Sequence, residues 1–203
     1  MKVAVVDYGA GNLRSVISAL RSVDCETIVV DSYRNVGAAR AMVLPGVGAA
    51  ADTMENLRRR GLSDMVIQWI AAERPFMGIC MGMQVLFTHS DEGRGQQCLG
   101  IIPGRVVRIP KGLKVPHMGW NQVRYAGESS IFRTIPDDSN FYFVHSYVAE
   151  PEDESIIAAH TDYGAPFCSA VRRGPLFATQ FHPEKSGVLG LQLYKNFVET
   201  AAA

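Results

Sequence analysis

Short apolar runs alternate with glycine-bearing turns and amphipathic stretches through the first part of the chain, and few folds accommodate that rhythm. Lys2 to Asp7 is an apolar β run, Tyr8-Gly9-Ala10-Gly11 is a turn, and Asn12 to about Ser22 has helical periodicity with Asn12 placed to cap it. Glu26 to Val30 and Ala41 to Leu44 are further β runs, the second ended by Pro45-Gly46-Val47-Gly48. Ala49 to Glu73 is helical with a break at Gly61, and Phe76 to Ile79 is a fourth strand that turns into a helix from about Met81. Strands alternating with helices predict a mostly parallel sheet covered on both faces.

The texture changes after about Gly93. β-like runs at Gly104 to Ile109, Gln122 to Tyr125, Phe141 to Ala149, Ser155 to His160, Ala170 to Arg173 and Leu176 to Gln180 are separated by Gly, Pro and Asp, which predicts an antiparallel or mixed region. A last helix from about Ser186 to Thr200 returns to the parallel sheet. With 203 residues and no repeat, low-complexity tract or linker, the expectation is one α/β domain over 1–203.

Charge and cysteine usage exclude several function classes. Lys plus Arg and Asp plus Glu balance at 20 each, so no global field recruits nucleic acid or an anionic membrane, and the ligand is expected to be small or the partner a protein. Val3 to Val6 meets Asp7 too soon for a signal-peptide core or membrane span, so a cytoplasmic protein is expected. Cys25, Cys80, Cys98 and Cys168 form no CxxC pair, which argues against zinc and disulfides.

Only Cys80 has neighbours that suggest chemistry. In Gly78-Ile79-Cys80-Met81-Gly82 a nucleophile stands between two glycines at a strand-to-helix junction, the arrangement of a nucleophile elbow. Side chains two residues either side of so tight a turn would collide, and the helix N-terminus favours the thiolate. The same five residues equally describe a buried cysteine in a glycine-rich turn. Phe181-His182-Pro183-Glu184 offers a base and a group to orient it: in an extended segment His182 and Glu184 share one face. Acyl transfer also needs oxyanion donors; the Met81 N–H is one, and the glycines of Pro45 to Gly48 let a second approach.

These residues resemble the class I glutamine amidotransferases, whose triad is Cys, His, Glu in this chain order. Within them the chain is similar to the glutaminase subunits of imidazole glycerol phosphate synthase. The resemblance is carried by the Asp7-Tyr8-Gly9-Ala10-Gly11-Asn12-Leu13, Pro45-Gly46-Val47-Gly48 and Gly78-Ile79-Cys80-Met81-Gly82-Met83-Gln84 segments. It continues in Pro116-His117-Met118-Gly119-Trp120-Asn121, Val144-His145-Ser146-Tyr147 and Gln180-Phe181-His182-Pro183-Glu184-Lys185-Ser186-Gly187. It implies Cys80, His182 and Glu184 as catalytic residues, Val47 with Met81 as oxyanion donors, and Gly48, Gln84, His145, Ser146 and Tyr147 as the hold on glutamine. Asn12, Trp120 and Lys185 would face a partner cyclase subunit, a (β/α)₈ barrel that receives the ammonia. Neither metal nor cofactor is implied.

Other readings of the same residues are a different class I glutaminase, such as one serving pyridoxal phosphate synthesis, a self-contained γ-glutamyl hydrolase, or a catalytically silent module on this fold. A cysteine peptidase would share the nucleophile and base but needs an extended groove.

Overall fold

A computed structural model describes residues 1–9, 11–127 and 130–202; Ala10, in the predicted glycine turn, lies outside them. The first strands are β1 (Lys2–Val6), β2 (Glu26–Val30), β3 (Ala41–Leu44) and β4 (Phe76–Ile79), interleaved with helices α1 (Leu13–Arg21), α2 (Ala50–Arg59) and α3 (Leu62–Ala71). A single helical turn, α4 (Met81–Gln84), follows β4. Then come β5 (Phe87–Ser90), β6 (Gln96–Gln97), β7 (Ile102–Arg108), β8 (His117–Tyr125), β9 (Ser139–His145) and β10 (Tyr147–Pro151). The chain closes with β11 (Ile157–Asp162), β12 (Pro166–Arg173), β13 (Leu176–Thr179) and α5 (Gly187–Ala202).

Among the described residues the strands join in the order β2-β1-β3-β4-β13-β12-β10-β7-β5-β6, and β11, β8 and β9 branch from β12. The run β2-β1-β3-β4-β13 is parallel throughout. Beyond β13 the pairing turns antiparallel at β12, β10 and β7, with β5 parallel to β7. The fold is therefore the predicted mostly parallel sheet with a mixed region after it.

Strand periodicity explains why both faces are covered. Ala4 and Val6 of β1 and Met42 and Leu44 of β3 enter one core with Met54, Leu57, Met65 and Trp69 of α2 and α3. Val3, Val5, Ala41 and Val43 enter the other with Val16 and Leu20 of α1 and Leu193, Tyr194 and Phe197 of α5. Each such aliphatic side chain contributes about 1.5–3 kcal/mol when fully buried, and neighbours on a parallel strand are shared between the two cores. Gly61 breaks the α2–α3 stretch where its sequence position predicts, at φ 65 in the left-handed region that favours glycine.

Four expectations shift. Asn12 makes no side-chain cap to α1. The expected helix from Met81 is one turn, because the apolar run Val85-Leu86-Phe87 leads into strand β5 instead. The single run read from Phe141 to Ala149 is two strands, β9 and β10, that turn apart at Ser146. β8 begins five residues earlier than the Gln122 run, at His117, and crosses Gly119 at φ 135.

Candidate active site

The predicted cysteine and histidine segments leave adjacent parallel strands. Thr179 of β13 stands opposite Ile79 of β4, and the Cys80 N–H donates to the Thr179 carbonyl at 2.7 Å. Cys80 itself sits at φ 53, ψ −107. For a residue with a Cβ this backbone costs on the order of 1–3 kcal/mol, which the surrounding packing must sustain. Glycine is required around it: a Cβ on Gly82 would come within 2.0 Å of the Leu44 carbonyl, one on Gly78 within 2.7 Å of the Gly82 carbonyl, and one on Gly46 within 2.4 Å of the Gly82 nitrogen. These close approaches pack the elbow, the Pro45–Gly48 segment and β3 against one another. Since α4 is a single turn, no long helix dipole acts on the thiol, and the Met83 and Gln84 N–H groups close that turn on the Cys80 carbonyl at 2.9 and 3.1 Å.

His182 follows β13, and Pro183–Lys185 forms a 3₁₀ turn that brings Glu184 back to it. The contact predicted for an extended segment is thus made by a turn, with His182 Nδ1 at 2.7 Å from Glu184 Oε1. Both side chains are 1% exposed. The carboxylate fixes the proton on Nδ1 and leaves Nε2 for chemistry. Among the described residues Nε2 has no hydrogen-bond partner. Cys80 Sγ is instead turned to the Val144 carbonyl at 3.9 Å and receives the Gln180 Nε2–H at 3.6 Å. Burial disfavours the imidazolium, but the influence of Cys80 and then of Glu184 outweighs it and raises the His182 pKa to about 9.

Asn12 is half-buried and donates its amide Nδ2–H to Glu184 Oε1 at 3.2 Å. The cap read from the sequence does not describe that side chain. It faces inward to the carboxylate, because α1 packs beside the turn that carries Glu184. Among the described residues Glu184 Oε2 and the buried Tyr194 hydroxyl have no hydrogen-bond partner, so the carboxylate is steered through Oε1.

A cavity of about 220 Å³ opens over Cys80 and His182, with Val47, Gly48, Met81 and Gln84 among its lining. Ser146, Tyr147 and His145 supply the opposite wall. That is smaller than the roughly 300–1,000 Å³ clefts that hold drug-sized ligands. A larger open hollow beside Tyr125 and Arg133 contains none of the catalytic candidates.

Two of the expected substrate contacts are spoken for within the protein. Gln84 spends both Nε2 hydrogens, on the Tyr147 carbonyl at 3.1 Å and on Gln180 Oε1 at 2.8 Å. Its Oε1 is the atom left for a ligand. His145 lines the cavity, but Nδ1 is 2.8 Å from the Tyr147 carbonyl and Nε2 is 2.9 Å from His117 Nδ1. It shapes the wall without offering a free ring nitrogen.

Two residues in the site were not singled out from the sequence. Gln180 touches the sulfur only because β4 and β13 lie side by side, which no local pattern announces. Glu92 brings a carboxylate to the cavity wall and accepts the Ala50 N–H at 2.6 Å, so the loop that holds it is also the cap of α2. Trp120 and Lys185 lie outside the cavity. Trp120 is 57% exposed and meets Tyr142 edge-on at 6.1 Å, while Lys185 Nζ stands 5.7 Å over the same ring.

Comparison with known proteins agrees with this geometry. The family "Glutamine amidotransferase class-I" matches residues 4–201. A protein of Dehalococcoides mccartyi named "Imidazole glycerol phosphate synthase subunit HisH" is 51% identical over 98% of this chain and 97% of its own. Proteins of the same name from Chloroflexus aurantiacus and Moorella thermoacetica are 49% and 46% identical, over 99% and 97% of this chain and 97% and 94% of theirs. Two solved structures share the fold: a glutamine amidotransferase with TM-score 0.76 at 22% identity, covering 99% of both chains, and PurLQS from Thermotoga maritima with TM-score 0.76 at 17% identity, covering 98% of both. The chain belongs to the class I glutamine amidotransferases, in the imidazole glycerol phosphate synthase subunit HisH family.

Proposed function

We propose that this chain is a single-domain cytoplasmic glutaminase subunit that hydrolyses glutamine to glutamate and ammonia and passes the ammonia to a cyclase subunit of (β/α)₈ shape. There it forms imidazole glycerol phosphate and an aminoimidazole carboxamide ribotide in histidine biosynthesis. The observation that carries the reading is the junction of β4 and β13, where Cys80, in a left-handed backbone, stands beside a His182–Glu184 pair 2.7 Å apart under a cavity of single-amino-acid size. No helix of the described residues is long and apolar enough to cross a membrane, which accords with a cytoplasmic setting.

The residues suit thioester chemistry. His182 Nε2 holds the proton given up by the thiol, as its raised pKa of about 9 requires, and the Cys80 thiolate attacks the side-chain amide carbon of glutamine. The developing oxyanion is met by N–H groups of Val47 and Met81, and His182 then returns the proton to the leaving ammonia. Water, activated by the same imidazole, attacks the γ-glutamyl thioester and releases glutamate. Glu92 supplies the negative charge that an α-ammonium group needs, with Gln84 Oε1 as an acceptor beside it. Gly48, Ser146 and Tyr147 complete the hold on the substrate backbone.

Met118 and Trp120 are 61% and 57% exposed on one face of β8, and with Tyr142 and Lys185 they make an aromatic and cationic rim beside the His182 turn. That rim is the docking face for the cyclase subunit. The deciding experiment is glutamate release by the purified chain, alone and with a cyclase subunit and its ribonucleotide. Slow release alone and a large rise in the complex support the reading. Fast release alone points to a free-standing hydrolase, and none in the complex to a silent module.

A further inference from the structure

The strand that bears the exposed rim is joined to the nucleophile by an unbroken line of hydrogen bonds. His117 of β8 and His145 of β9 are direct cross-strand partners, with His117 Nδ1 at 2.9 Å from His145 Nε2. Asn121 Nδ2 lies 3.2 Å from His117 Nε2, and the same amide donates to the Asp162 carbonyl at 2.8 Å. His145 Nδ1 reaches the Tyr147 carbonyl at 2.8 Å, and that carbonyl also takes a Gln84 Nε2–H. Gln84 donates to Gln180 Oε1, and Gln180 Nε2 reaches Cys80 Sγ.

The direction of every bond in this line follows from its ends. A carbonyl only accepts, so His145 carries its proton on Nδ1 and its Nε2 is an acceptor. His117 must then donate from Nδ1, and its Nε2 accepts from Asn121. Both rings are buried, and burial lowers both pKa values, that of His145 to about 3. The His117 ring is clamped as well: it stacks on Tyr163 at 4.0 Å and on Phe143 at 5.0 Å between centroids. On the other face of the same strand Met118 and Trp120 are open to solvent.

We propose that His117, oriented by Asn121, is a positioning residue of the glutamine site: it holds His145 in the Nδ1–H form, sets the wall made by the Tyr147 carbonyl and Gln84, and ties that wall to the strand carrying Met118 and Trp120. The inference rests on the glutaminase reading above and adds to it a connection between the rim and the pocket. Loss of the His117 donor leaves His145 free to take the other tautomer, which cannot bond the Tyr147 carbonyl, and the Gln84 amide loses a fixed acceptor.

The test compares His117→Phe, which keeps a stacked ring without a donor, with His117→Asn, whose amide retains an N–H near the Nδ1 position. Glutaminase kinetics are measured in the complex with a cyclase subunit, and the His145 tautomer is read from its ring ¹⁵N shifts. The Phe variant is expected to raise KM for glutamine about tenfold while kcat changes by less than about threefold, the size of one lost hydrogen bond in substrate binding. His145 should lose its pure Nδ1–H signature, and the Asn variant should restore both readouts. Unchanged KM and tautomer in the Phe variant would overturn the proposal. So would an equal loss in both variants, which marks His117 as packing alone. If the Phe variant does not fold, Asn121→Leu must raise KM in the same way for the proposal to stand. A wild-type complex that releases no glutamate defeats the glutaminase reading instead, and the ¹⁵N shifts then decide the positioning role independently.

Discussion

At the scale of single residues, Cys80 and His182 came into view from sequence because each is flanked by residues with a backbone purpose: glycines that prevent collision at the elbow, and a proline that starts the turn bearing Glu184. Gln180 did not, since its role depends on strand register between positions distant in the chain. Asn12 was read as a helix cap, whereas its amide is bonded to Glu184 Oε1. That bond yields a prediction: Asn12→Ala should lower kcat roughly ten- to a hundredfold, the range for one hydrogen bond to a charged group, with KM for glutamine nearly unchanged. Steady-state glutaminase assays of the complex check it. Cys80→Ala should abolish glutamate release while the circular dichroism spectrum and partner affinity persist, and residual turnover would reassign the nucleophile.

At the scale of elements, the parallel half was legible because β1, β3 and β4 are short apolar runs, β1 ended by Asp7 and β3 and β4 abutting Pro45 and Pro75, and each apolar residue finds a core on one face or the other. β5 was missed because Val85-Leu86-Phe87 continues the apolar pattern of the elbow helix, and nothing local says that the chain extends after one turn. β8 was read short since Gly119 and the polar residues around it obscure the alternation, although a strand with one wet face needs no long apolar run. The packing of the elbow on β3 also carries a prediction. Gly82→Ala forces a Cβ against the Leu44 carbonyl, where backbone must move, and should destabilise the fold by about 3 kcal/mol or more. Urea unfolding measures that. Gly112→Ala, where a Cβ meets nothing within 4 Å, serves as the comparison, with only the strain of φ 97 to oppose it.

At the scale of the whole molecule, two buried histidines make stability depend on pH in opposite senses. Burial is the main reason that His145 titrates at about 3, so the unfolded chain gains a proton near 6.5 before the folded one does, and stability falls as pH drops through that window. His182 is raised to about 9 despite its burial, chiefly by Cys80; its contribution is complete below 6.5 and is lost as pH rises through 9. Thermal midpoints against pH should therefore fall on both sides of about 6.5, and Cys80→Ala should flatten the alkaline side. Association is the other property of the whole. Trp120→Ala should weaken binding to the cyclase subunit by about 2 kcal/mol or more, read by titration calorimetry, if the exposed indole is a buried anchor in the complex. The place of β13 has a further consequence. This strand lies between β4 and β12 in the middle of the sheet, yet all of β5 to β12 is made between it and β4 in the chain. A chain still emerging from the ribosome therefore presents β4 as a raw apolar edge until β13 arrives. The sheet is closed and His182 is brought beside Cys80 by the same segment, so a polypeptide that has been made only as far as β4 holds Cys80 without its histidine neighbour.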